Sequence, residues 1–121
     1  MAEVFLYNIE KSKAVKIKVL CHRMGIAART VKREEFGVKL SSLLGLTEDM
    51  TAQSDSGFDA EMLFFSDFIP PILNLFLNQL RRQKTPVALK AVRTDANVGL
   101  TSCELYREIA AEHEALSGRR Q

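Results

Sequence analysis

The sequence predicts a single α/β domain over 1–121: two βαβ units in one four-stranded sheet, all parallel in the order 2-1-3-4, with helices on both faces. Three observations predict it. "EVFLYNI" (Glu3–Ile9) and "AEMLFFSD" (Ala60–Asp67) are continuous apolar runs of strand length, and such runs suit central strands covered on both sides. Each run is followed by a segment of helical period and then by a second strand. The stretches Glu3–Arg33 and Glu61–Ala91 are alike in that pattern. Strand-crossover-strand units are right-handed almost without exception, which limits the topologies to a few. A ferredoxin-like α+β arrangement is the alternative, because it also places the two apolar strands in the middle.

The elements follow in order. In "SKAVKIKVLCHRMG", Ala14, Ile17, Leu20, Cys21 and Met24 fall on one helical arc, and Gly25 stands where a helix terminates. "IAARTVKR" (Ile26–Arg33) suits an edge strand. "EEFGVKLSSLLGL" places Phe36, Leu40, Leu43 and Leu44 on one helical stripe that ends at Gly45. Residues 46–59 form a polar, acidic surface loop, either a lid or a plain connection. "IPPILNLFLNQLRRQK" opens with prolines in its first turn, where a missing N–H costs little. "TPVALKAV" (Thr85–Val92) is the fourth strand, and a proline near its start is compatible with an edge position. The last helix runs from Thr101 to Leu116, and 117–121 are expected to fray.

Length and composition set the class. A chain of 121 residues with 46% hydrophobic side chains is one domain's worth and can supply a core. No apolar run approaches the roughly 20 residues of a membrane-spanning helix. Glu3 stands where a secretory signal would carry basic residues. Cys21 and Cys103 are isolated from one another, so the expectation is reduced thiols in the cytoplasm.

The net charge of +2 conceals blocks. Residues 1–33 carry eight basic and two acidic side chains, and residues 34–67 carry one and eight. Residues 68–93 carry five basic and none acidic, and residues 94–121 carry three and five. That mosaic argues against a nucleic-acid binder, which would present one basic face. It suits pairing with a charged partner or with a second copy. Val15, Val19 and Leu75, aliphatics away from the main helical arcs, point to the same homodimer.

In a parallel sheet a ligand site lies outside the carboxyl ends of the strands, where strand order reverses. That rim would collect Asn8, Ser66, Asp67, Arg93, Thr94, Asn97 and Thr101 as candidates for binding a small anion. Helix capping explains several of them without a ligand. "TSCE" (Thr101–Glu104) has the spacing of a capping box. Catalytic signatures are missing: "YNIEKSKA" after the first strand has no glycine for a dinucleotide, and no phosphate loop, nucleophile elbow or Cys-x-x-Cys occurs. No cofactor and no metal is expected. Glu104, Glu108 and Glu112 stack at i, i+4, i+8, but Ala110 stands where a di-metal helix needs Glu three residues before His113. His22 is expected in solvent and His113 half-buried on the last helix. The reading is a non-enzymatic binding or regulatory module making protein contacts. Its alternative is a small or degenerate enzyme for an anionic molecule.

"AEMLFFSDF", "VALKAVRTDANVGLTSCELYREIAAEHEAL" and "EVFLYNI" together resemble a family of short bacterial proteins described only as a domain of unknown function. The resemblance covers most of the chain and is strongest after Ala60. In that family the loop before the last helix reads Thr-Pro-Thr-Asn, two variable residues, an aromatic and Thr. Thr94, Asn97 and Thr101 match it, while Asp95, Ala96 and Leu100 depart from it. The resemblance implies fold boundaries and no activity.

Overall fold

A computed structural model describes residues 1–118. The α/β class and the strand order are those expected: β1 (Glu3–Tyr7), β2 (Ala27–Thr30), β3 (Met62–Ser66) and β4 (Leu89–Val92) form one sheet in the order β2-β1-β3-β4. The helices are α1 (Lys11–Arg23), α2 (Leu40–Leu43), α3 (Pro70–Arg82) and α4 (Ser102–Gly118), with a 3₁₀ turn at Arg33–Glu35. The tail expected at 117–121 begins inside α4, and residues 119–121 lie outside those described. Among the described residues no helix is long and apolar enough to cross a membrane.

By packing, the chain divides into two compact units, Met1–Thr30 with Ala60–Val92, and Val31–Asp59 with Arg93–Gln121. The first holds the sheet. β1 pairs with β2 in parallel and β3 with β4 in parallel, but β1 pairs with β3 antiparallel. The sheet is therefore mixed, which corrects the all-parallel expectation. The reason is that the crossover rule fixes handedness within each βαβ unit and leaves the two units free to meet in either direction.

The antiparallel seam also fixes where the crossover helices lie. Two right-handed crossovers in antiparallel units put their helices on the same face. Val4, Leu6, Leu63 and Phe65 share one core with Ile17, Leu20 and Cys21 of α1 and with Phe76 and Leu80 of α3. The crossover helices thus form one layer and do not flank the sheet. The other face of the central pair, carrying Phe5, Tyr7, Met62 and Phe64, is buried as well. The dryness of both flanks explains why these strands read as uninterrupted apolar runs.

Each crossover helix ends in the same way. The Ile26 N–H donates to the Cys21 carbonyl and the Gly25 N–H to the His22 carbonyl, with Gly25 left-handed at φ 69°. At the end of α3 the Thr85 N–H donates to Leu80 and the Lys84 N–H to Arg81, with Lys84 at φ 58°. Both are Schellman closures. At its start α1 is capped by Glu10, whose carboxylate accepts from the Ser12 and Lys13 N–H groups. The Ser12 hydroxyl, which also donates to this carboxylate, and then those N–H bonds hold its pKa down to about 2.

The second unit departs further from expectation. The single helical stripe predicted from Glu34 to Gly45 is broken into the 3₁₀ turn and the four residues of α2. A Cβ on Gly37 would lie 2.1 Å from the Gln53 carbonyl oxygen. The Gln53 N–H donates to the Gly37 carbonyl at 2.8 Å, so the backbones meet where a helix would have to continue. Leu40 and Ser41 direct their N–H groups to the carbonyls of Leu100 and Val98. The fourth strand is likewise shorter than expected and starts only at Leu89.

The acidic loop is held down. Phe58 is buried, with its ring 4.7 Å from Phe36 and 4.3 Å from Tyr106. Arg33 donates to the carbonyls of Ser56 and Phe58 and pairs with Asp59. Arg107 pairs with Asp55 and depresses the carboxyl pKa.

Candidate functional site

The antiparallel seam separates the expected rim. Glu3 pairs with Ser66 and Tyr7 with Met62, so the carboxyl ends of β1 and β3 point to opposite ends of the sheet. Asn8, left-handed at φ 56°, donates to the Ala60 carbonyl at one end. Ser66 and Asp67 lie at the other, where Asp67 accepts from the Met1 amino group. Arg93 follows β4 directly. Thr94 and Asn97 close a turn on themselves: the Thr94 N–H donates to Asn97 Oδ1 and the Asn97 N–H to Thr94 Oγ1. Thr101 forms the capping box, with its N–H on Glu104 Oε1 at 2.9 Å and its Oγ1 accepting from the Glu104 N–H at 3.2 Å. Local bonds therefore occupy three of the seven candidates, and the sheet does not bring Asn8 together with Ser66 and Asp67.

A different concavity lies at the amino ends of β3 and β4. It is a cleft of about 450 Å³ between α3 and the connection into β4, within the size range of small-molecule sites. Leu77 and Leu80 form one wall, and Pro86, Val87 and Ala88 form the other. Arg81 and Lys90 supply cations, and Glu61 supplies one carboxylate.

The carboxylate is already engaged. Glu61 Oε1 accepts from Lys13 Nζ at 2.6 Å and Oε2 from the Glu10 N–H at 2.8 Å. Lys13 also donates to the Pro86 carbonyl, which ties the outer wall to α1. Lys90 Nζ donates to the Val87 carbonyl at 2.6 Å. Burial, and then the nearby Arg81 charge, push the Lys90 pKa down. An anion placed beside these two cations would offset the repulsion between them.

The cleft exists because the two βαβ units are not the same length. α1 and α3 start 59 residues apart, at Lys11 and Pro70, and end 59 apart, at Arg23 and Arg82. β2 and β4 start 62 apart, at Ala27 and Leu89. Three residues, Met24–Ile26, join α1 to β2, whereas six, Gln83–Ala88, join α3 to β4. The extra length supplies the Pro86–Ala88 wall. The sequence reading missed this, because "TPVALKAV" reads as one apolar strand and its first half looks like part of β4. The missed signal was the unequal spacing between the paired elements.

The remaining chemistry-bearing side chains lie elsewhere. Burial pushes the Cys21 thiol up to about 11 and raises that of Cys103. His22 is exposed, and so is His113, against the half-buried position expected for it. Among the described residues no cluster of His, Cys, Asp and Glu could hold a metal ion. Val15, Val19 and Leu75 are exposed, as their positions on α1 and α3 suggest.

Residues 61–116 match the family model described as "Domain of unknown function (DUF3783)". The matched segment contains β3, α3, β4 and most of α4, and with them the whole cleft. No curated protein and no solved structure matches the chain.

Proposed function

We propose that the protein is a non-catalytic binding module that takes a small amphipathic anion, a carboxylate with an apolar body, in the cleft between α3 and Pro86–Ala88. The observation that carries this reading is the extra connection into β4, which lines an apolar cleft and leaves Lys90 and Arg81 at its border. An apolar cleft with a few convergent polar groups is the usual form of a small-molecule site. Glu61, neutralised by Lys13, does not oppose an anion there. Thiols kept protonated at neutral pH favour binding over nucleophilic chemistry.

Octanoate and octanol differ in charge and share a chain, so they separate the two parts of the reading. Backbone amide shifts on titration should concentrate at Leu77, Leu80, Val87 and Ala88 for octanoate and be weaker for octanol. Lys90→Gln should weaken octanoate by roughly ten- to a hundredfold, since a hydrogen bond to a charged group contributes about 1.5–3 kcal/mol. Shifts scattered over the surface, or equal affinity for the two probes, would remove the reading.

A further inference from the structure

The two halves of the chain pair with one another through equivalent positions. β1 and α1 recur 59 residues later as β3 and α3, and the strand pair at the centre of the sheet is β1 with β3. Its register sets Phe5 opposite Phe64, and 64 is 5 plus 59. Val4 faces Phe65 and Leu6 faces Leu63, so the pairs on either side of Phe5 exchange under the same offset. Residue i meeting j while j′ meets i′ is the signature of an isologous, two-fold contact.

The second unit carries the same signature independently. There the offset is 62, as between Leu40 and Ser102, the first residues of α2 and α4. Lys39 forms an antiparallel bridge with Thr101, its own equivalent 62 residues on. Around that bridge the Ser41 N–H donates to the Val98 carbonyl and the Cys103 N–H donates to the Phe36 carbonyl. Positions 41 and 103, and 36 and 98, are again 62 apart, so the two bonds are one bond made twice. The shift from 59 to 62 is the extra length between α3 and β4. The DUF3783 match, 61–116, begins and ends inside the second half.

We infer that residues 1–59 and 60–118 are two copies of one self-pairing unit, and that the surface along the first strand of each copy is an interface whose partner is a second copy of that unit. The homodimer expected from the sequence is in this account supplied within one chain. The chemistry of the strands permits like-with-like pairing. Setting β3 against another β3 with the same central register would bring Phe64 to Phe64 and Leu63 to Phe65, apolar at the centre, with Met62 against Ser66 at each end. A unit carried singly would thus close its sheet by taking a second copy.

The test keeps every residue of the chain. A protease site is inserted between Met50 and Thr51, both exposed, and the folded protein is cut there. The fragments are unfolded in urea, refolded together and weighed by native mass spectrometry, with circular dichroism to confirm regained structure. The expected species are the mixed pair and a pair of two 51–121 fragments, each of which carries the whole second copy, both structured. Mixed pairs without any like pair would mean that the halves are complementary and not equivalent, which overturns the inference. Single fragments without pairs overturn it equally.

Discussion

Phe5 and Phe64 face each other across the β1–β3 seam with ring centroids 5.7 Å apart, each fully buried. They are the pair about which the two βαβ units turn into one another. Both lie on the face of the sheet opposite α1 and α3, where each ring is buried beside the other.

Truncating either ring should therefore cost about 3–5 kcal/mol, the range for a buried Phe→Ala change. Because the rings are within contact range, Phe5→Ala and Phe64→Ala together should cost less than their sum. Urea denaturation of both single variants and the double variant measures this directly. Additive losses would mean that the rings do not share a packing environment.

Lys84 holds a left-handed conformation that Gly25 holds in the first unit. A residue with a Cβ pays about 1 kcal/mol there, and glycine does not. Lys84→Gly should raise stability by up to about 1 kcal/mol, seen as a higher melting temperature. A fall in melting temperature would show that the lysine side chain contributes more than its backbone costs.

Gly37 is required by contact and not by its dihedral angles. Gly37→Ala would drive a methyl group into the Gln53 backbone, which must then move away from the hydrogen bond it makes. A loss of roughly 1–3 kcal/mol is expected, as for overpacked sites. Protease cleavage within 46–59 should accelerate in the same variant. Unchanged cleavage would place the strain elsewhere.

Glu10 gives a pH dependence of definite sign. Its carboxyl pKa is lowered to about 2 from 4.5, first by the Ser12 side chain and then by the Ser12 and Lys13 N–H groups. The unfolded chain takes up the proton first as pH falls, so this contribution is present above about pH 4.5 and is lost down to about pH 2. The stability advantage of the native chain over Glu10→Gln should shrink through that window. An advantage that persists at pH 2 would show that the cap does not act through its charge.

Much of this fold was legible in the residues. The apolar runs at Val4–Tyr7 and Met62–Phe65 identified the central strands and their neighbours, and Gly25 and the Thr101–Glu104 box marked helix ends. The orientation of β1 against β3 was not legible, because a run that is apolar on both faces reads the same in either direction. The expected binding rim depended on that orientation and separated with it. α2 was overcalled because the contact of Gly37 with Gln53 is tertiary and leaves no trace in helical spacing. Phe58 was overlooked because one aromatic in a polar loop has no period, although it anchors that loop between Phe36 and Tyr106.

The central claim is that three added residues turn one arm of a repeated βαβ unit into a binding cleft. Deleting Pro86–Ala88 gives the second unit the connection length of the first. Octanoate titration of that variant, monitored by backbone amide shifts, tests the claim most directly. The account predicts a folded, cooperatively melting protein whose amides no longer respond to octanoate. A folded variant that binds octanoate with unchanged affinity would contradict it.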